Sequence, residues 1–144
     1  SMTHTFRYKN IDLSLFFQTA LGFDIFNIHD FYYGTKNFQG NVMDKAYSKN
    51  KIISQNPIVC DYFLEPGDYL KLSSINLGYT LNLNKKYVDA IRLYATASNL
   101  FTITKFSGID PSNYQLNGLN PGATGSRTYF PSTRQFMIGM QIDF

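Results

Sequence analysis

The chain has 144 residues, one domain's worth, with 44% hydrophobic residues and a formal net charge of +3. That charge comes from scattered Lys and Arg with no basic run, which argues against nucleic acid as a partner, and the single cysteine, Cys60, excludes an internal disulfide. Aromatic residues stand out: 13 Phe and 11 Tyr with no Trp bring the aromatic share to 17%, a composition that favours strands.

Ser1-Met2 reads as a cloning remnant, so the native N-terminus is expected upstream; no basic start followed by an apolar core marks a signal peptide. The first predicted strand covers 3–8, with His4, Phe6 and Tyr8 opposite Thr3, Thr5 and Arg7. After a short turn at Lys9-Asn10 comes the second, 11–21. Ile11, Leu13, Leu15, Phe17 and Leu21 share one face; Asp12, Ser14 and Gln18 lie opposite. The two read as a hairpin. Residues 23–67 break the alternation. FDIFNIHDFYYG has room for a short amphipathic helix, and the rest reads as loop. Loops this long are uncommon in compact domains and usually functional.

The third strand is predicted over 68–81. Ile75, Leu77, Tyr79 and Leu81 share a face, whereas Leu70 and Leu72 have the other parity; a β-bulge near Ser73-Ser74 would bring both sets to one side. Residues 82–89, around the paired Lys85-Lys86, read as a short turn. The fourth strand, 90–104, places Ile91, Leu93, Ala95, Ala97, Phe101 and Ile103 on one face. A loop over 105–133, rich in Gly, Pro, Ser and Asn, leads to the fifth strand, 134–144. There Phe136, Ile138, Met140, Ile142 and Phe144 share a parity up to the last residue.

Connections thus alternate short, long, short, long, as in outer-membrane barrels with tight periplasmic turns and long extracellular loops. A periplasmic C-terminus puts loops 23–67 and 105–133 outside and turns 9–10 and 82–89 inside. No apolar run approaches the ~20 residues of a spanning helix, but a spanning strand needs only ~9–11. Arg7, Asp12, Arg92 and Asp143 all oppose the apolar parity, and Lys71 does so given the bulge. A Lys or Arg facing lipid at mid-bilayer costs ~2–4 kcal/mol, so such charges belong to a lumen. A soluble sandwich with one wet face would show the same parity. Five strands cannot close a membrane barrel, whose small members have about eight, so a membrane reading makes the chain part of a larger wall.

The remaining constellations carry little chemistry. Cys60, far in sequence from His4 and His29, reads as an incidental thiol. NPGATGS, 120–126, lacks the Lys and the following helix of a phosphate loop. GIDPSN, 108–113, is a turn signal. Asp24, His29, Asp30, Asp44, Asp61, Glu65 and Asp68 match no calcium-loop spacing, and no acid/base pair or triad is visible. Neither a metal, a cofactor nor enzymatic activity is expected. The aromatics of the long loops, Phe26, Phe31, Tyr32, Tyr33, Tyr114 and Tyr129, are candidate contacts for a ligand or partner, or packing for the loops themselves.

Four segments in order, THTFRYKNIDLSLFFQTALGFDIFN, DYLKLSSINLGYTLN, RLYATASNLFTITKFSGIDPSN and RTYFPSTRQFMIGMQIDF, resemble the C-terminal barrel region of SusC/RagA-type TonB-dependent transporters. The resemblance implies an all-β fold: antiparallel strands from the C-terminal part of an outer-membrane barrel of about 22 strands with a plugged lumen. It implies import of large nutrients, glycans or peptides, with a SusD-like lid lipoprotein as partner and TonB engaged through an N-terminal part not in this chain. It also gives the terminal strand a role. Phe136, Ile138, Met140, Ile142 and Phe144 would be the signal read by the barrel assembly machinery, and the apolar faces would meet outer-membrane lipid. The alternative is a soluble β-rich ligand-binding module whose long loops hold the ligand.

Overall fold

The computed structural model describes residues 1–53, 56–85, 87–114, 122–124 and 129–144. Five strands, which we label β1 (Met2–Tyr8), β2 (Ile11–Ala20), β5 (Tyr69–Lys85), β6 (Val88–Thr104) and β7 (Gln135–Asp143), form one sheet in the order β1-β2-β5-β6-β7. Two short strands, β3 (Asp24–Phe26) and β4 (Leu64–Pro66), pair separately, and one six-residue helix, α1, spans Ile28–Tyr33. The chain divides into two compact units. One holds Ser1–Thr19, Leu70–Ile103 and Ser132–Phe144; the other holds Ala20–Tyr69 and Thr104–Pro131.

In the sheet unit, residues opposite each other across antiparallel strands share a face. Tyr8↔Ile11, Phe6↔Leu13 and His4↔Leu15 therefore line one side, and Arg7↔Asp12 and Thr5↔Ser14 the other. Lys9 closes this hairpin at φ 52°, the left-handed geometry of a primed turn that matches strand twist. Across β6 and β7 the same sorting holds. Ile91↔Ile142, Leu93↔Met140, Ala95↔Ile138 and Ala97↔Phe136 make an apolar side; Arg92↔Gln141 and Ala90↔Asp143 lie on the other.

Side-chain contacts locate the bulge in β5. The Ser73 hydroxyl donates to Gln18 Oε1 at 2.7 Å, and Gln18 has the parity of Asp12 and Ser14. Asn76 Oδ1 accepts from Thr96 Oγ1 at 2.8 Å, and Thr96 has the parity of Arg92. Ser73 and Asn76 are three apart yet both face the polar side, so the alternation shifts by one residue between them. That shift carries Leu70 and Leu72 to the side of Ile75, Leu77 and Tyr79. A second irregularity lies in β6, where Asn99 adopts φ 54° and the pairing with β7 ends one residue earlier, at Ser98↔Gln135.

The turn expected over 82–89 is shorter than its sequence suggests. β5 runs on through Lys85 and β6 begins at Val88, so the alternation of Leu81 and Leu83 continues into the expected turn; Lys86 lies outside the described residues. β1 likewise begins at Met2, inside the pair read as a cloning remnant.

The loop unit departs furthest from the expectation of irregular chain. Ile25, Ala46, Phe63, Phe106 and Ala123 form its buried core. β3 pairs with β4 through Ile25↔Glu65. The segment 122–124 adds to β3, with Phe26 donating its backbone N–H to Gly122 O at 2.9 Å and accepting from Thr124 N at 3.1 Å. Residues from both long connections thus enter one core, which is why neither behaves as a free loop.

Candidate functional site

The terminal strand presents its apolar residues openly. Phe136 is 74% exposed, Ile138 87% and Phe144 87%, in a strand that pairs on one edge with β6 and stands last in the sheet. Phe144 follows the final paired residue, Asp143. Apolar exposure of this kind on a continuous face marks a surface that meets lipid or protein.

In the loop unit the aromatic candidates divide. Phe26 packs on Phe31 at 5.6 Å between ring centroids and on Phe63 at 6.1 Å, and Phe31 meets Phe63 edge-on at 5.2 Å. These rings hold α1 against the turn at Asp61–Phe63, each pair worth about 0.5–1.5 kcal/mol beyond area burial. Tyr33 contacts Phe38 at 4.8 Å, and Tyr114 contacts Phe23 at 4.9 Å. Tyr32 remains exposed on the helix surface beside a hollow of about 240 Å³ that it lines with Phe31, Phe38 and Pro57. Tyr129 is half-buried. Ile52, Ile58 and Val59, which no sequence pattern singled out, are 81%, 79% and 72% exposed.

A polar network holds this unit together. Asn27 caps α1, its Oδ1 accepting from Asp30 N at 3.0 Å. Asp30 is buried, and its carboxylate accepts from Asn50 Nδ2 at 2.8 Å and from Lys45 Nζ at 3.3 Å. Lys45 also donates to Ser107 Oγ at 2.6 Å, and Ser107 donates its hydroxyl and backbone N–H to Glu65 at 2.6 and 2.7 Å. Tyr62 closes the set by donating to Asn50 Oδ1 at 2.8 Å. Gly34 ends the helix where Asn50 Nδ2 donates to its carbonyl at 2.9 Å, and a Cβ there would strike Asp30 and Asn50. Burial pushes the Glu65 carboxyl up, but the Ser107 and Asn27 hydrogen bonds and the Lys45 charge outweigh it and leave its pKa below the ordinary range.

Of the acidic residues noted in the sequence, Asp30 and Glu65 therefore serve Lys45. Among the described residues no three His, Cys, Asp or Glu gather in a cation-binding geometry. Asp110 builds the turn its motif suggested, Oδ1 accepting from Ser112 N at 2.9 Å and Ser112 Oγ at 2.6 Å. Residues 120, 121, 125 and 126 of NPGATGS lie outside the described residues.

His29 is 8% exposed, stacks near Tyr33, and has no hydrogen-bond partner on either ring nitrogen among the described residues. Desolvation by burial lowers its pKa below the usual value of about 6.5. The unfolded segment then binds the proton more readily than the folded one. The contribution to stability is complete above about pH 6.5 and is lost as pH falls below it towards the folded pKa. Amide exchange over residues 28–33 is expected to accelerate on acidification through that window, and His29→Phe is expected to flatten the dependence. An unchanged profile in the variant would show that His29 is not the responsive group. The Glu65 loss follows at lower pH.

On the sheet unit, the polar side is built around Asp12 and Arg92, with Arg92 NH2 donating to Asp12 Oδ2 at 2.6 Å across β5. Gly78 lies beneath them, and a Cβ there would fall 2.7 Å from Arg92 NH2 and would strike the Asp12 carboxylate. This side encloses a hollow of about 530 Å³ walled by Thr5, Ser14, Asn76, Tyr94, Thr96 and Gln141 among others. One side of the sheet is thus apolar and open, the other polar and hollowed, as the wall of a barrel is.

Comparison with known proteins decides the kinship. The chain is 29% identical over 157 residues to TonB-dependent receptor SusC of Bacteroides thetaiotaomicron and 29% identical over 157 residues to TonB-dependent receptor P3 of Formosa agariphila. Those alignments cover 99% and 96% of this chain. The RagAB peptide importer in its closed-closed state superposes with a TM-score of 0.73 at 27% identity, over 99% of this chain. A second structure of the RagAB transporter gives 0.72 at 26%, over 94%. The chain is similar to SusC/RagA-type TonB-dependent receptors. No protein-family model matches the chain. The chain spans 15% of the length of SusC and of the P3 receptor, and 17% of the first importer chain. The five-stranded antiparallel sheet, apolar on one side and polar on the other, matches a stretch of β-barrel wall in those proteins.

Proposed function

We propose that the chain is the C-terminal barrel part of a TonB-dependent transporter that imports large nutrients, glycans or peptides, together with a SusD-like lid lipoprotein. The observation that carries the reading is the apolar side continuous across β6 and β7, exposed at Ile138 and Phe136, backed by a polar, hollowed side. A soluble module would cover such a face. The relatives are named as receptors and, in the RagAB case, as a peptide importer; import by this protein, its cargo and its lid are our extension to the longer protein.

In this reading the loop unit stands outside the cell, where the lid docks, and Phe26, Phe31, Tyr32, Tyr33, Tyr114 and Tyr129 serve contact with lid or cargo directly or by shaping the unit. Shortening 23–67 and 105–133 together in the full-length protein is expected to abolish lid co-purification and uptake while the barrel still inserts. Wild-type levels of both readouts would reduce the loops to spacers. Turn 9–10 and the connection between β5 and β6, within the expected turn 82–89, face the periplasm and contribute to neither.

The terminal strand is the segment offered to the barrel assembly machinery, since an amphipathic edge strand can be captured by strand addition. Deleting Phe144 is expected to lower the amount of folded barrel in the outer membrane several-fold, read by heat-modifiable mobility. A normal level of folded barrel would remove Phe144 from that role.

A further inference from the structure

We propose that Arg7, Asp12 and Arg92 form an anion site on the polar side of the sheet, and that its ligand is a carboxylate. Asp12 is committed to Arg92 at 2.6 Å. Arg7 stands directly opposite Asp12 in the β1–β2 register, on the same side, exposed and without a hydrogen-bond or ion-pair partner among the described residues. Asp12 thus answers Arg92 alone, and the Arg7 charge is left to be met. Lys9 also lines the hollow and adds a further positive charge there, its ammonium lying over the Tyr8 ring, 5.4 Å from the centroid.

The surroundings are shaped to receive a small planar anion. A hollow of about 360 Å³ opens between Arg7, Asp12 and Arg92, with Thr80 and Asn82 on its wall. Gly78 supplies a floor without a side chain, where a Cβ would collide with the ion pair. A guanidinium fork matches a carboxylate in two parallel hydrogen bonds. The ligand carboxylate has two sources: an Asp or Glu of another segment of the same protein lying against this side, or a carboxylate carried by a solute passing it.

The inference rests on reading this side as the barrel's inner wall, and the test separates the two. In the full-length protein in nanodiscs, Ser14→Cys should react with a water-soluble maleimide and not with a lipid-soluble one; the reverse would overturn the inner-wall reading itself. For a solute source, acetate is expected to raise the thermal midpoint relative to chloride at equal ionic strength. The response should shift about tenfold to higher acetate in Arg7→Gln and partly return in Arg7→Lys. For an internal source, a photo-crosslinking residue at Thr5 should form an adduct with an acidic segment of the same protein, and the adduct should vanish in Arg7→Gln. Correct Ser14 labelling with neither an Arg7-dependent acetate response nor an Arg7-dependent adduct would overturn the anion site.

Discussion

Leu15→Arg in the full-length protein is expected to cost about 2–4 kcal/mol at mid-bilayer and to deplete the barrel from the outer membrane, while Ser14→Arg, one residue away, leaves the level near wild type. Leu15 sits opposite His4 on the apolar side of the hairpin, beside Leu13 and Phe17; Ser14 sits opposite Thr5 on the side of Asp12 and Arg92. An arginine at 15 must strip its guanidinium of water or snorkel to the interface. At 14 it enters a polar hollow already lined by hydroxyl and amide groups. Outer-membrane fractions probed for folded barrel, and denaturant midpoints in liposomes, measure both. Equal loss from the two variants would mean that the sides are assigned wrongly.

That contrast rests on the part of the fold most legible in the sequence. Strand alternation depends on a two-residue period that local chemistry enforces, so the sidedness of Ile11 to Phe17 and of Phe136 to Ile142 could be read directly. Even the shift at Ser73-Ser74 left a mark, because Leu70 and Leu72 would otherwise face a lumen. Where strands end is less legible. Asn82, Leu83 and Asn84 have turn-like neighbours in sequence, yet ladder pairing carries β5 through Lys85. The loop unit was the least legible. Much of its order comes from contacts between residues far apart in sequence, such as Asn27 with Glu65, 38 positions apart, and Ile28 with Thr124, 96 apart. No local period encodes those contacts. Its traces in the sequence were local: room for a short helix in FDIFNIHDFYYG and the turn signal of GIDPSN. The polar hub around Lys45 had no trace, since each of its residues is an ordinary loop residue until the fold brings them together.

The hub makes the second large expectation. Asp30→Ala in the full-length protein should destabilise the loop unit by about 3 kcal/mol while the barrel still assembles. Asp30 is 1% exposed and answers two donors at once. Lys45, with a side chain 24% exposed, can turn to solvent or to Glu65. Asn50 is fully buried and cannot, so its amide loses one of its two acceptors, keeping Gly34 O. Asp30→Asn should cost less, because its side-chain oxygen can still accept from Asn50 while the ion pair with Lys45 is lost. Hydrogen exchange read over 28–33 and 44–50 separates these cases from a barrel defect, which would instead expose the strand amides of 88–104. The lid contact follows the same logic. In the proposed reading both long connections present their surface as one clipped body, so Asp30→Ala should weaken co-purification of the proposed lid even though Asp30 itself is buried. Unchanged exchange protection in Asp30→Ala would show that the aromatic cluster of Phe26, Phe31 and Phe63 alone holds the unit.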